Sequence, residues 1–151
     1  MFYYENMKNT DLKACASLFQ KAFQQPPWNE NWTYEQAYQR LEESMSSPMM
    51  RGYLIKDHED IIAMACGRIM TYMSYQEFWI DDLCVLDSYQ GQGIGSQLLD
   101  FVKDELQKEK INRIVLNTLR SFLSEKFYRK NGFIEDEKSV VMLYQGVESK
   151  R

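Results

Sequence analysis

Apolar residues recur at two different periods along this chain, and the switches between those periods mark out its elements. Phe2-Tyr3-Tyr4 reads as a short strand. Leu12, Cys15, Phe19, Ala22 and Phe23 then recur at helical spacing, behind a cap at Asn9 or Thr10 and ahead of Pro26-Pro27, which ends the helix. Thr33-Tyr34-Glu35-Gln36 has the form of a capping box and opens a second helix to about Met45, stopped by Ser46-Ser47-Pro48. Three β-rich stretches follow: Tyr53–Lys56, Ile61 to about Tyr72 and Phe78 to about Leu86. They are close enough in sequence for an antiparallel meander, joined by Asp57-His58-Glu59-Asp60 and by a turn at Ser74-Tyr75-Gln76. From Gly93 the period becomes 3.6, with Ile94, Leu98, Val102 and Leu106 on one face of a long amphipathic helix. Ile114-Val115-Leu116 reads as a strand, Ser124–Lys130 as a short helix ended by Asn131-Gly132, and Val140–Tyr144 as a last strand. The order βααβββαβαβ predicts an α/β (α+β) fold with a mixed, mostly antiparallel central sheet flanked by helices. No linker, repeat or low-complexity tract interrupts it, so residues 1–151 are expected to form a single domain.

Composition narrows the function more than the fold. The 151 residues carry 18 Lys+Arg against 22 Asp+Glu, a net charge of −4, which argues against a partner held by its phosphate backbone; no nucleic acid is expected. The longest clearly apolar run, Ile61–Cys66, is far short of the roughly 20 residues that cross a bilayer, so no membrane partner is expected either. The first residues lack the basic region and apolar stretch of a secretory signal, and a cytoplasmic location is the expectation. Three cysteines, Cys15, Cys66 and Cys84, are an odd number without CxxC spacing, which disfavours a disulfide framework and a zinc knuckle. The only histidine, His58, lies in a polar turn, so a multi-histidine metal site is impossible; no metal is expected.

The informative passage runs from Asp82 to Ser96, a strand leading through a glycine-rich turn into a helix. Gly91, Gly93 and Gly95 allow backbone N–H groups to converge at a helix start, where the macrodipole adds partial positive charge and an anion is the natural occupant. A tight turn that needs glycine for its own geometry is the simpler alternative. A Walker loop would need a lysine the turn lacks, and the third glycine of a dinucleotide fingerprint would fall at Ser96.

Gln90-Gly91-Gln92-Gly93-Ile94-Gly95, following Leu83-Cys84-Val85, resembles the acetyl-CoA loop of the GNAT superfamily of N-acetyltransferases, and Phe127-Tyr128 ahead of Gly132-Phe133 resembles a second feature of that family. The element order is similar as well, over nearly the whole chain. The resemblance implies acetyl-CoA as co-substrate. The amides of Gln92–Ser96 would hold its pyrophosphate, the backbone of Leu83–Val85 would pair with the pantetheine arm as an added strand, and an amide near Cys84 would polarise the thioester oxygen. It also implies direct attack of an amine on the thioester, with Tyr128 protonating the leaving thiolate. Relatives place an asparagine against pantetheine seven residues before that tyrosine; here the position is Ser121, with Asn117 slightly earlier. Arg129 and Lys130 either meet the adenosine 3′-phosphate or are simply solvated.

For the base, Asp81 and Asp82 lie on the strand entering the site, and alternation turns at most one toward the acceptor unless the strand bulges. Asp82 is favoured, with deprotonation through water the alternative and Asp81 beside the acceptor. Cys84 has no histidine near it in sequence and reads as a buried small residue. Trp28 and Glu30, within Pro26–Trp32, form either an acceptor wall for a cationic amine or a hydrophobic anchor for the loop. This segment loosely resembles members related to aminoglycoside 6′-N-acetyltransferases. The expected function is acetyl-CoA-dependent N-acetylation of a primary amine on a small molecule. Acetylation of a protein N-terminus or lysine, and a non-catalytic acyl-CoA-binding or sensing domain, are the competing readings; homodimers are common among relatives, an analogy that does not fix the oligomeric state here.

Overall fold

The computed structural model describes residues 1–146, which fall into two compact units, Met1–Thr118 and the residues from Leu119 on. In the first, β1 (Phe2–Asn6) and a 3₁₀ turn at Asn9–Asp11 lead into α1 (Leu12–Phe23) and α2 (Tyr34–Met45). The meander β2 (Met50–Asp57), β3 (Asp60–Tyr72) and β4 (Tyr75–Val85) follows, then α3 (Ile94–Lys108) and β5 (Ile114–Leu116). The sheet order is β1-β2-β3-β4-β5, antiparallel except for the β4–β5 pair, which is parallel because α3 forms the crossover between them.

Local chemistry accounts for the boundaries. The Gln36 N–H donates to Thr33 Oγ1 at 3.1 Å and the Thr33 N–H to Gln36 Oε1 at 2.9 Å, a complete capping box at the start of α2. The turn between β3 and β4 is tighter than expected. Tyr72 pairs with Tyr75, so only Met73 and Ser74 form the loop, and Tyr75 and Gln76 belong to the strand. A two-residue hairpin loop needs positive φ at its first residue, and Met73 adopts 53°.

Both faces of the sheet are covered, so the central strands are buried in continuous runs, Gly52, Tyr53, Leu54 and Ile55 in β2 and Ile62 to Gly67 in β3. Leu54, Met64, Cys66 and Cys84 pack with α1 and α2. Alternate residues face α3, where the Tyr53 ring meets Phe78 at 5.8 Å and Phe101 at 5.9 Å. The four-spaced residues Ile94, Leu98, Val102 and Leu106 of α3 are all buried.

One irregularity reorganises β4. Cys66 pairs with Asp82 and Gly67 with Ile80, leaving Asp81 as an extra residue in a β-bulge. Before it, Phe78 faces α3; beyond it, Cys84 faces α1 and α2. A Cβ on Gly67 would lie 1.9 Å from the Trp79 carbonyl oxygen, so only glycine permits this close approach of the two strands.

In the second unit, α4 (Leu123–Lys130) ends at Asn131-Gly132, with Gly132 at φ 93°. Arg129 pairs with Glu125 at 2.8 Å and Glu135 at 3.6 Å, and Arg120 pairs with Glu135 at 2.8 Å. Val140–Tyr144, expected to be the last strand, is not one: it makes no ladder and its side chains are exposed. Five apolar residues in a row have strand propensity, but a strand exists only where a neighbour takes up its backbone hydrogen bonds.

Candidate functional site

β5 pairs only with Phe78–Ile80 of β4, and beyond the bulge β4 runs on from Asp81 to Val85 without β5 beside it. The Leu86 N–H donates to Ile62 O at 2.8 Å, toward β3. Alternation therefore turns the N–H and C=O of Leu83 and Val85 away from β3, to the open edge, and those of Cys84 inward. The donors facing the edge are thus the amides of Leu83 and Val85 rather than that of Cys84. The Val85 carbonyl accepts from Gln90 Nε2 at 3.0 Å, and Gln92 Nε2 donates to Ser88 O at 3.2 Å, so both glutamine side chains brace the loop that follows.

That loop passes through a 3₁₀ turn at Asp87–Tyr89 and then Gly91 and Gly93, at φ 77° and 79°. These are left-handed conformations that glycine adopts without cost, and a Cβ on either would meet nothing within 4 Å. Gly93 is the N-cap of α3, no side chain caps its first turn, and no acidic residue occupies that turn. The helix start at Ile94, Gly95 and Ser96 thus directs backbone donors and the positive end of the macrodipole outward, uncompensated by the protein.

On the α1–α2 face, the bulge brings both acidic residues to one side. Arg68 grips Asp81 with Nε to Oδ2 at 3.0 Å and Nη2 to Oδ1 at 2.9 Å; Arg40, from α2, grips Asp82 in the same way at 3.0 and 3.1 Å. The Arg40 guanidinium lies over Phe19 and Trp32, 5.9 and 5.8 Å from the ring centroids. Trp32 Nε1 donates to Glu30 at 2.8 Å, so Glu30, Trp32, Arg40 and Asp82 form one connected chain from the α1–α2 loop to β4. Trp28 turns elsewhere, edge-on to Phe23 at 5.6 Å, and anchors the loop on the core. Sequence reasoning missed Arg40 and Arg68. The first stands on an exposed position of α2, where no spacing rule points to a partner. The second stands next to Gly67, and a glycine inside a strand pattern was the available sign of a bulge.

Burial pushes the Asp82 carboxyl above its ordinary range despite the arginine, whereas for Arg40 burial acts downward and is outweighed by the hydrogen bonds and charge of Asp82, which raise it. Desolvation also holds the Cys66 and Cys84 thiols far above their usual titration and pushes Cys15 up to about 12. All three cysteines are buried, so none has the thiolate character of a nucleophile. The native protein near neutral pH is expected to leave its three thiols untouched by dithionitrobenzoate, and all three are expected to react in concentrated guanidinium. A rapid thiol release from the native state would show a reachable cysteine instead.

Asn117 is exposed immediately after β5. In the second unit, Tyr128 is half-buried with its ring edge-on to Phe127 at 5.0 Å and Phe133 at 5.4 Å. Ser121 is exposed at φ 66°, its N–H donating to Glu125 at 2.7 Å. Among the described residues no group of three or more His, Cys, Asp or Glu side chains is placed to hold a metal, and no helix is long and apolar enough to cross a membrane.

Comparison with known proteins places this arrangement. The model of the acetyltransferase (GNAT) family matches residues 12–133. No curated protein matches the chain. Among solved structures, a possible acetyltransferase from Clostridium difficile 630 superposes with a TM-score of 0.82 at 12% identity, covering 97% of this chain and 99% of that one. A predicted acetyltransferase from Clostridium acetobutylicum, solved with acetyl-CoA, gives 0.73 at 17%, covering 95% and 96%. The aminoglycoside acetyltransferase meta-AAC0020 from an uncultured soil metagenomic sample gives 0.75 at 18%, covering 97% of each chain. At such identities the likeness is one of fold, and the aminoglycoside-modifying branch is not singled out among these neighbours. With the family model spanning most of its length and the sheet, open β4 edge and glycine-led helix already described, the chain belongs to the GNAT family of acetyltransferases.

Proposed function

We propose that this protein transfers the acetyl group of acetyl-CoA to a primary amine on a small molecule, by direct attack of the amine on the thioester. The observation that carries the reading is the succession of two recognition surfaces: the open edge of β4 at Leu83 and Val85 leads through the glycine loop to the uncapped start of α3. An amide-bearing arm pairs with the first as an added strand, and a pyrophosphate suits the second, so a single extended molecule with both parts fits both. A neighbour of the same fold was solved with acetyl-CoA, which supports that choice.

The outward amides of Leu83 and Val85 are the donors available to a thioester oxygen, where negative charge develops during attack. Asp82 lies just ahead of them, next to the bulge. Each of its oxygens already accepts from Arg40, and its remaining lone pairs take the ammonium proton through an intervening water, helped by the raised proton affinity that burial confers. Tyr128, assigned by the resemblance of Phe127-Tyr128 ahead of Gly132-Phe133 to the family's motif, supplies the proton that the departing thiolate needs; a phenol is acidic enough for this and too weak an acid to be spent at neutral pH.

Thermal unfolding with and without acetyl-CoA, followed by thiol-release assays over amines, tests the reading. Saturating acetyl-CoA at about 100 times its Kd is expected to add about 2.7 kcal/mol of stability. Tyr128→Phe is expected to lower kcat by about a hundredfold or more while leaving that thermal shift in place. Acetyl-CoA binding with no amine turned over would favour a binding or sensing role, and no thermal shift would remove the proposal altogether.

A further inference from the structure

The four charges beside the open strand edge are layered. Asp82 is 6% exposed and Asp81 22%, whereas the Arg40 and Arg68 side chains above them are 43% and 49% exposed. Each arginine spends Nε and Nη2 on its carboxylate, and neither has a partner for Nη1 among the described residues. Because Asp81 and Asp82 are consecutive and turned to one side by the bulge, the two forks stand on adjoining backbone positions. The Phe19 and Trp32 rings hold the Arg40 guanidinium from beneath as well. The solvent meets guanidinium first and carboxylate second. A polycation approaching this face meets the guanidiniums before it reaches either aspartate, each carboxylate being already neutralised by its arginine.

Resting on the acetyl-transfer reading, we propose that the acceptor is an amine that also carries a carboxylate, and that Arg40 and Arg68 select it by donating their free Nη1 groups to that carboxylate. Two guanidinium donors match the planar acceptor geometry of a carboxylate, and their less exposed counter-charges engage them without covering their outer edges. A carboxamide of the same shape offers one neutral oxygen and an NH₂ that faces donors.

The test uses the full chain, labelled with ¹⁵N at tryptophan, and matched probes: β-alanine, γ-aminobutyrate, 6-aminohexanoate and glycylglycine, each against its carboxamide, with spermidine as a polycation. Binding is read from the Trp32 indole N–H resonance, assigned with Trp32→Phe, and turnover from thiol release with acetyl-CoA. At least one carboxylate probe is expected to bind and react about tenfold or more better than its carboxamide, the ratio that one charge-assisted hydrogen bond supports. Arg68→Gln is expected to bring the ratio toward one, and Arg68→Lys to restore part of it. Where removing Arg40 alone weakens the fold, the charge-neutral pair Arg40→Gln with Asp82→Asn serves in its place, read by the Trp32 binding shift alone. Carboxamides or spermidine performing as well as the carboxylates would overturn the proposal while leaving acetyl transfer standing, and so would the absence of any carboxylate-induced shift. Selective carboxylate binding without turnover would instead overturn acetyl transfer and leave the anion site.

Discussion

Arg40→Leu is expected to destabilise the protein by about 2–3 kcal/mol, although it removes a side chain that is nearly half exposed. A fully buried pair broken on one side costs about 3–5 kcal/mol; the exposure of the guanidinium screens part of that here, and loss of its stacking on Phe19 and Trp32 adds a little back. The dominant loss is on the partner. Asp82 is buried beside Cys66, whose Sγ stands 3.9 Å away and cannot replace two charged donors. The pH dependence separates this cause from simple loss of packing. Burial already raises the Asp82 pKa in the folded state, and without Arg40 only the long Cys66 contact opposes it. The folded state then binds a proton more tightly than the unfolded chain, so the deficit is largest above the folded pKa. It shrinks as pH falls through that value and is gone below the unfolded one. Urea midpoints at neutral and mildly acidic pH measure this. A deficit that does not shrink on acidification, or one that the added change Asp82→Asn fails to relieve, would show that Arg40 stabilises by packing alone.

What the sequence disclosed and what it withheld divide along local and non-local physics. The capping box at Thr33, the four-residue spacing of Ile94 to Leu106 and the glycines at 91 and 93 each act within a few residues of themselves, so they read correctly from the chain alone. The three meander strands were also legible, because their apolar residues have no other way to be buried. Register was not. The side of β4 that Asp81 and Asp82 face depends on one extra residue opposite Gly67, a fact about two strands at once. Arg40 joined the site for a similar reason: its partner lies 42 positions away, and no spacing rule connects them. Trp28 and Trp32 look alike in the sequence, and only tertiary packing sends the first to the core and the second to the guanidinium. Val140–Tyr144 shows the limit from the other side, since its composition announced a strand and no ladder forms among the described residues.

Gly67→Ala is the smallest change expected to have a large effect, about 3 kcal/mol or more, a loss of roughly ten degrees in Tm for a domain of this size. Its methyl carbon would sit 1.9 Å from the Trp79 oxygen, 2.8 Å from the Trp79 carbonyl carbon and 3.0 Å from Ile80 Cα. All three are main-chain atoms of the paired strand, so no rotamer change relieves the overlap. The strands must part at the point where their register shifts. If the variant folds by slipping the pairing to remove the bulge, alternation turns Asp82 away from Arg40, and the fork that holds the two together is lost. Gly91→Ala supplies the contrast: its Cβ enters open space, and only the left-handed backbone penalises it, by about 1 kcal/mol. Urea unfolding of the two variants should therefore separate them widely, with Gly67→Ala far the weaker. Near-equal midpoints would mean that β3 and β4 approach less closely than this and that the bulge does not rest on glycine.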